Sequence, residues 1–207
     1  MEKKIERRIN MILAAQKLFA KDGFEKTTMQ KIADEAKVGI ATLFRYFSNK
    51  EALIIEVIKM ILEKQVPYFE YIYAADKPGI EKVDDVLTTY IRFIFEENRD
   101  TIKLLESFEL YIVFNKIEFS SLEQIRQAYG EIGNIISKIV KEGKEDGSIR
   151  TSISDEQIVS TMLNMFGTSI KKYSLYSILP DTIIPVPTKE ALLGVKMVLI
   201  AYLQQRL

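Results

Sequence analysis

The chain has 207 residues, 47% apolar and 28% charged, enough for a sizeable core in one large domain or in a small domain joined to a medium one. It contains no cysteine and no histidine, which removes disulfides, thiolate chemistry, the commonest general base and the commonest transition-metal ligand. The formal charge is zero, yet residues 1–50 hold 11 Lys+Arg against 6 Asp+Glu, and a basic end of this kind favours a polyanion partner, because cations displace the counterions condensed on a phosphate backbone.

Helical periodicity runs through nearly the whole chain, and no apolar-polar alternation is long enough to argue for a sheet, so the expected class is all-α with about nine helices. The first helix carries Ile5, Ile9, Ile12 and Phe19 on one stripe with Leu13 and Leu18 beside it, and it ends at Asp22-Gly23, where glycine accepts a left-handed conformation. Thr27 or Thr28 opens a second helix, with a Thr27–Gln30 capping box and a buried stripe of Met29, Ile32, Ala33 and Ala36. Lys37-Val38-Gly39 breaks it, with Gly39 relieving the backbone. Residues 40–47 form a short third helix that turns Leu43 and Phe47 inward. Ser48 to Glu51 offer a cap for a fourth helix reaching Val66, stopped by Pro67.

Beyond a loop at 76–79, a helix over residues 80–98 is apolar almost all round through Val86, Leu87, Tyr90, Ile91, Phe93 and Ile94, as a central helix would be. Further helices are expected over 100–114, 121–145, 155–179 and 188–205, separated by 115–120, 146–148 and the proline-rich 180–187. The longest uninterrupted apolar run is 197–203, and Gln16 and Lys17 interrupt the N-terminal one, so neither a membrane span nor a secretory signal is expected; the cytoplasm is the expected location.

Two short helices joined by a three-residue turn behind a longer one make a helix-turn-helix pattern, in which the second short helix enters the major groove. An ordinary helical corner has the same bare pattern. The sequence over residues 28–53, from Thr28-Met29-Gln30 through Ala36-Lys37-Val38-Gly39 and Arg45-Tyr46-Phe47 to Lys50-Glu51-Ala52-Leu53, strongly resembles the DNA-binding segment of the TetR family. With Phe19 to Gly23 before it, the resemblance covers about the first quarter of the chain. Gly147-Ser148-Ile149-Arg150 also looks like a recurring turn of the family, more loosely.

The resemblance implies a DNA-binding domain over residues 1–50 and a helical ligand-binding and dimerisation domain over 51–207. It implies a dimeric repressor of operator DNA, released by a small, hydrophobic molecule, with no cofactor and no metal. Position by position, it makes Thr28 a cap and phosphate contact, sets Ile40, Ala41, Thr42 and Arg45 at the groove or its rim, and gives Lys50 a phosphate. Phe44 stands where the family usually has a tyrosine, so packing on the sugar-phosphate backbone is all it offers, and Gly39 replaces a frequent capping serine.

Tyr90, Phe93, Phe108, Tyr111, Met162, Met165, Phe166 and Tyr173 are each ordinary core fillers or walls of an apolar ligand cavity. The last two helices show apolar stripes on more than one face: Val159, Leu163, Phe166 and Ile170, then Leu192, Val195, Leu199 and Tyr202. Either both stripes are satisfied within one subunit, or the surplus forms the four-helix dimer interface that the resemblance implies. An enzyme would have only paired carboxylates such as Asp84-Asp85 and Glu96-Glu97, which point about 100° apart on a helix and do not converge. A helical interaction module without DNA binding is the other alternative.

Overall fold

The computed structural model describes residues 2–97, 99–115, 117–176 and 188–204. Among these residues it has ten α-helices and no strand: α1 (Glu2–Lys26), α2 (Met29–Glu35), α3 (Ile40–Tyr46), α4 (Lys50–Glu63), α5 (Val66–Ala74), α6 (Gly79–Arg92), α7 (Arg99–Asn115), α8 (Glu123–Glu145), α9 (Asp155–Tyr176) and α10 (Lys189–Leu203). A π-turn, Phe93–Glu97, follows α6, and a 3-10 turn, Phe119–Leu122, precedes α8. The all-α expectation is what the chain adopts. No helix among the described residues is long and apolar enough to cross a membrane.

The chain forms two compact units, Met1–Lys64 with Lys103–Ala128, and Gln65–Ile102 with Tyr129–Leu207. The first has a core of Met11, Ile12, Ala15 and Phe19 from α1, Ile32 and Ala33 from α2, Leu43 from α3, and Leu53, Ile54, Val57, Ile58 and Ile61 from α4. Ile5 and Ile9, expected in the buried stripe, and Leu13 beside it are exposed, because the face of α1 that meets the core runs through Met11, Ile12, Ala15 and Phe19. Gly23 does take a positive φ (79°), but helix resumes after this kink and runs to Lys26 instead of ending there. The buried Thr27 hydroxyl donates to the Gly23 carbonyl at 2.8 Å, so Thr27 holds the kink and forms no capping box. Gln30 donates to Asp34 instead.

The second unit is stitched at one corner by polar groups. Asp146 accepts the Gly79 amide at 2.7 Å and Ser148 accepts the Ile80 amide at 3.0 Å, so residues just beyond α8 cap the start of α6. Lys82, only 6% exposed, donates to the Tyr73 carbonyl and to Glu142, each at 2.8 Å, tying α5, α6 and α8 together. The chain leaves α8 through Gly147 (φ 77°), after which the Arg150 guanidinium lies 4.0 Å from the Tyr202 ring centroid and its amide donates to Leu203.

Two expectations are corrected here. Pro67 does not stop a helix; α4 ends at Glu63 and Pro67 sits in the first turn of α5, where a missing N–H costs nothing. α6 is also not apolar all round. Glu81, Asp84, Asp85 and Thr88 face away from its core, and Lys77 and Lys196 pair with Asp85 and Asp84 at 2.7 and 2.8 Å. The adjacent aspartates thus turn to different lysines, and no cluster of acidic groups among the described residues could hold a metal ion.

Candidate nucleic-acid interface

Thr28 is the N-cap of α2, its Oγ1 accepting the Lys31 amide at 3.3 Å. The α2–α3 turn closes when the Val38 amide donates to the Ala33 carbonyl at 2.9 Å, and Asn10 donates from α1 to the Ala36 carbonyl. The left-handed residue of this turn is Lys37 (φ 55°), whereas Gly39 has an ordinary φ of −67° and open space where a Cβ would stand. Relief of the backbone is therefore not the role of Gly39; it is simply an N-cap without a side chain, which leaves α3 uncapped by any hydroxyl.

Leu43 and the C-cap residue Phe47 bury the inner face of α3. Its outer face carries Ala41, Phe44 and Arg45, all exposed, with Ile40 and Thr42 half-buried at the edges. Phe44 is 48% exposed, a large apolar ring left on a surface whose other long group is a guanidinium. Arg45 leans over the Tyr46 ring at 5.9 Å and has no carboxylate within ion-pair distance among the described residues. Lys50 is placed differently from the free clamp expected of it. Its Nζ donates to the Phe24 carbonyl at 2.8 Å and to that of Glu25 at 3.4 Å, joining the start of α4 to the end of α1, so an N–H is left for an anion only beyond those two bonds.

Sequence reasoning missed Arg8 and Glu56. They form an ion pair at 2.6 Å, with the Arg8 guanidinium 5.4 Å from the Phe47 ring centroid, so the end of α3 is clasped between α1 and α4. A basic residue on α1 carries no motif signal for this contact; only the packing of three helices creates it.

This exposed short helix, held on a cationic three-helix corner, is the part of the chain that matches a known family: residues 12–57 fit the family described as bacterial regulatory proteins, tetR family. Over those residues the chain is similar to the TetR family. The HTH-type transcriptional repressor KstR2 of Rhodococcus jostii is 24% identical over 150 residues, covering 72% of this chain and 71% of that protein. The fatty acid metabolism regulator protein of Bacillus subtilis is 26% identical over 172 residues, covering 81% and 82%. In shape, the transcriptional regulator FadR from Bacillus subtilis, solved in complex with stearoyl-CoA, matches with a TM-score of 0.76 at 17% identity over 94% of this chain and 98% of that one. That likeness shows the fold, and these relatives are transcriptional regulators.

The other residues expected to act fall in two places. Phe108 is buried in the first unit, and Tyr111 lies there with its ring 5.4 Å from Phe24, its hydroxyl pKa raised mainly by burial. The second unit holds Phe93, Met162 and Phe166, all buried, and the half-buried Tyr90, whose pKa burial also pushes up. Tyr90 and Phe93 pack on Phe69 and Tyr68 of α5, each pair 5.2 Å apart. Those partners were missed because Pro67 was read as a stop. Met165 is exposed, and the side chain of Tyr173 lies outside the described residues.

Among residues expected at the dimer interface, Leu192 and Leu199 are buried by their own chain and have no surface left for a partner. Val159, Val195 and Tyr202 are half-buried, Leu163 is exposed, and the Ile170 side chain lies outside the described residues. Among the described residues, the open apolar surface of α9 and α10 includes Leu163, Met165, Leu193, Met197 and Val198.

Proposed function

We propose that this protein is a TetR-family repressor whose two protomers set α3 into successive major grooves of an operator and withdraw it when an acyl-type molecule binds. Residues 1–50 carry the DNA contact and 51–207 the regulation and dimerisation. The observation that carries the reading is the outer face of α3: Ala41, Phe44 and Arg45 stand exposed while Leu43 and Phe47 anchor the helix from behind. Such a helix fits a groove wide enough for an α-helix. Arg45 is the long hydrogen-bonding side chain for a base edge or phosphate, Ile40, Ala41 and Thr42 supply apolar contact to thymine methyls, and Thr28 and Lys50 border the phosphates.

An acyl-type effector is favoured by the fatty acid metabolism regulator among the relatives and by the apolar, aromatic content of the second unit: Tyr90, Phe93, Met162 and Phe166, with Met165 and Tyr173 on the same helix as the latter pair. Dimerisation through α9 and α10 would use Leu163, Met165, Leu193, Met197 and Val198, spacing the recognition helices about 34 Å apart.

The test is a gel-shift titration with duplex from upstream of the protein's own gene, with and without stearoyl-CoA. Specific retardation at a stoichiometry of two chains, reversed by the acyl-CoA, is expected. Absence of specific retardation would overturn the DNA reading and leave the interaction-module alternative, which the tyrosine-to-phenylalanine departure at Phe44 favours. Retardation indifferent to stearoyl-CoA would overturn the acyl effector alone.

A further inference from the structure

A cleft of about 500 Å³ opens within the first unit beside the C-terminal end of α3. None of the residues expected to bind the effector lines it. Its apolar wall comes from Phe47, Ala52 and Ile55, and its mouth is bordered by Phe44 and Arg45 of the DNA-facing helix. Two guanidinium groups and one carboxylate reach it. Glu56 is already matched to Arg8 at 2.6 Å, so among the described residues Arg45 remains as one cation without a carboxylate partner over an apolar floor. Ser121 of the 3-10 turn and Gln124 of the first turn of α8 add a hydroxyl and an amide to its lining.

A cavity of this size suits a small organic molecule, and its walls select the kind. Aromatic faces and a branched aliphatic floor favour a flat apolar body, while a lone guanidinium takes a carboxylate by a charge-assisted bidentate bond. We propose that this cleft is a ligand site for a small aromatic carboxylate, and that its occupant excludes DNA directly by engaging Arg45. The exclusion is competitive and needs no change in the second unit.

The test titrates the isotope-labelled full-length protein with 2-naphthoate and with neutral 2-naphthamide, followed by amide chemical shifts. Saturable shifts centred on residues 44–56 and 121–124 are expected, with the acid binding about tenfold tighter than the amide, the worth of one charge-assisted hydrogen bond. Arg45→Gln should erase that preference, and Ala52→Leu, which fills the floor, should weaken the acid by about tenfold at an unchanged melting temperature. Shifts confined to other residues, equal binding of acid and amide, or a preference that survives Arg45→Gln would each overturn the proposal. In a second arm, 2-naphthoate should weaken duplex binding by the factor by which duplex weakens 2-naphthoate. Failure of duplex binding itself would strike the repressor reading while leaving the naphthoate arm to decide this one.

Discussion

Lys50 shows how one side chain serves two ends. Its ammonium closes the carbonyl end of α1 while standing at the start of α4, on the side where the resemblance expects a phosphate. Lys50→Ala is therefore expected to cost about 1 kcal/mol of stability from the lost hydrogen bonds, and to lower the salt slope of DNA binding by about 1 through loss of a phosphate contact. Denaturant melts read the first and binding isotherms over a roughly fourfold salt range read the second. An unchanged slope would assign the lysine to α1 alone. Lys37 carries the opposite kind of signal. A lysine at φ 55° pays a steric penalty that glycine does not, so Lys37→Gly should raise stability by about 1 kcal/mol, seen as a higher denaturation midpoint at unchanged slope. Nothing in the composition of the turn pointed there, since its glycine, Gly39, was the natural candidate and proved to need no special conformation.

At the scale of elements, the junction of α6 with the end of α8 depends on two glycines and one aspartate. A Cβ on Gly79 would stand 2.2 Å from the Gly143 Cα and 2.3 Å from its nitrogen, a clash with backbone that no rotamer relieves. Gly79→Ala should thus cost about 3 kcal/mol in urea unfolding, at the upper end of overpacking penalties. Asp146 carries the pH dependence of the same junction. Burial tends to raise its pKa, but hydrogen bonds from Ser148 and from the Gly79 amide outweigh this and hold it below the ordinary carboxylate value. With the folded pKa lower than the unfolded one, the ionised form favours folding. Its contribution is complete above about pH 3.9 and is lost as pH falls through the folded value. Wild-type protein should accordingly lose stability faster on acidification than Asp146→Asn, a difference that a pH series of thermal melts resolves.

At the scale of the whole molecule, the proposed function requires a second copy. The exposed Met197 and Val198 of α10 leave apolar surface that one chain does not cover. Replacing both with glutamate should yield a monomer in sedimentation experiments. It should also lower affinity for a two-half-site operator by about two to four orders of magnitude, because linked binding of the second half-site is lost. A variant that stays dimeric would move the interface elsewhere. The first unit as folded also draws in residues 103–128, well beyond the residues that carry the helix-turn-helix pattern.

The sequence by itself determined the helical class, the positions of α2 and α3, and the inward turn of Leu43 and Phe47, because each rests on interactions within a few residues: a 3.6-residue period, a threonine cap, a three-residue turn. The tertiary structure alone decided which apolar residues find a partner. Ile5 and Ile9 repeat with the same period as Ile12, yet only Ile12 has helices packed over it. Leu192 and Leu199 read as surplus until their own chain covers them, and Arg8 gains its role only where α1, α3 and α4 converge. Periodicity gives the face a side chain occupies on its own helix; burial depends on which other helix arrives there, and that is fixed by contacts distant in sequence.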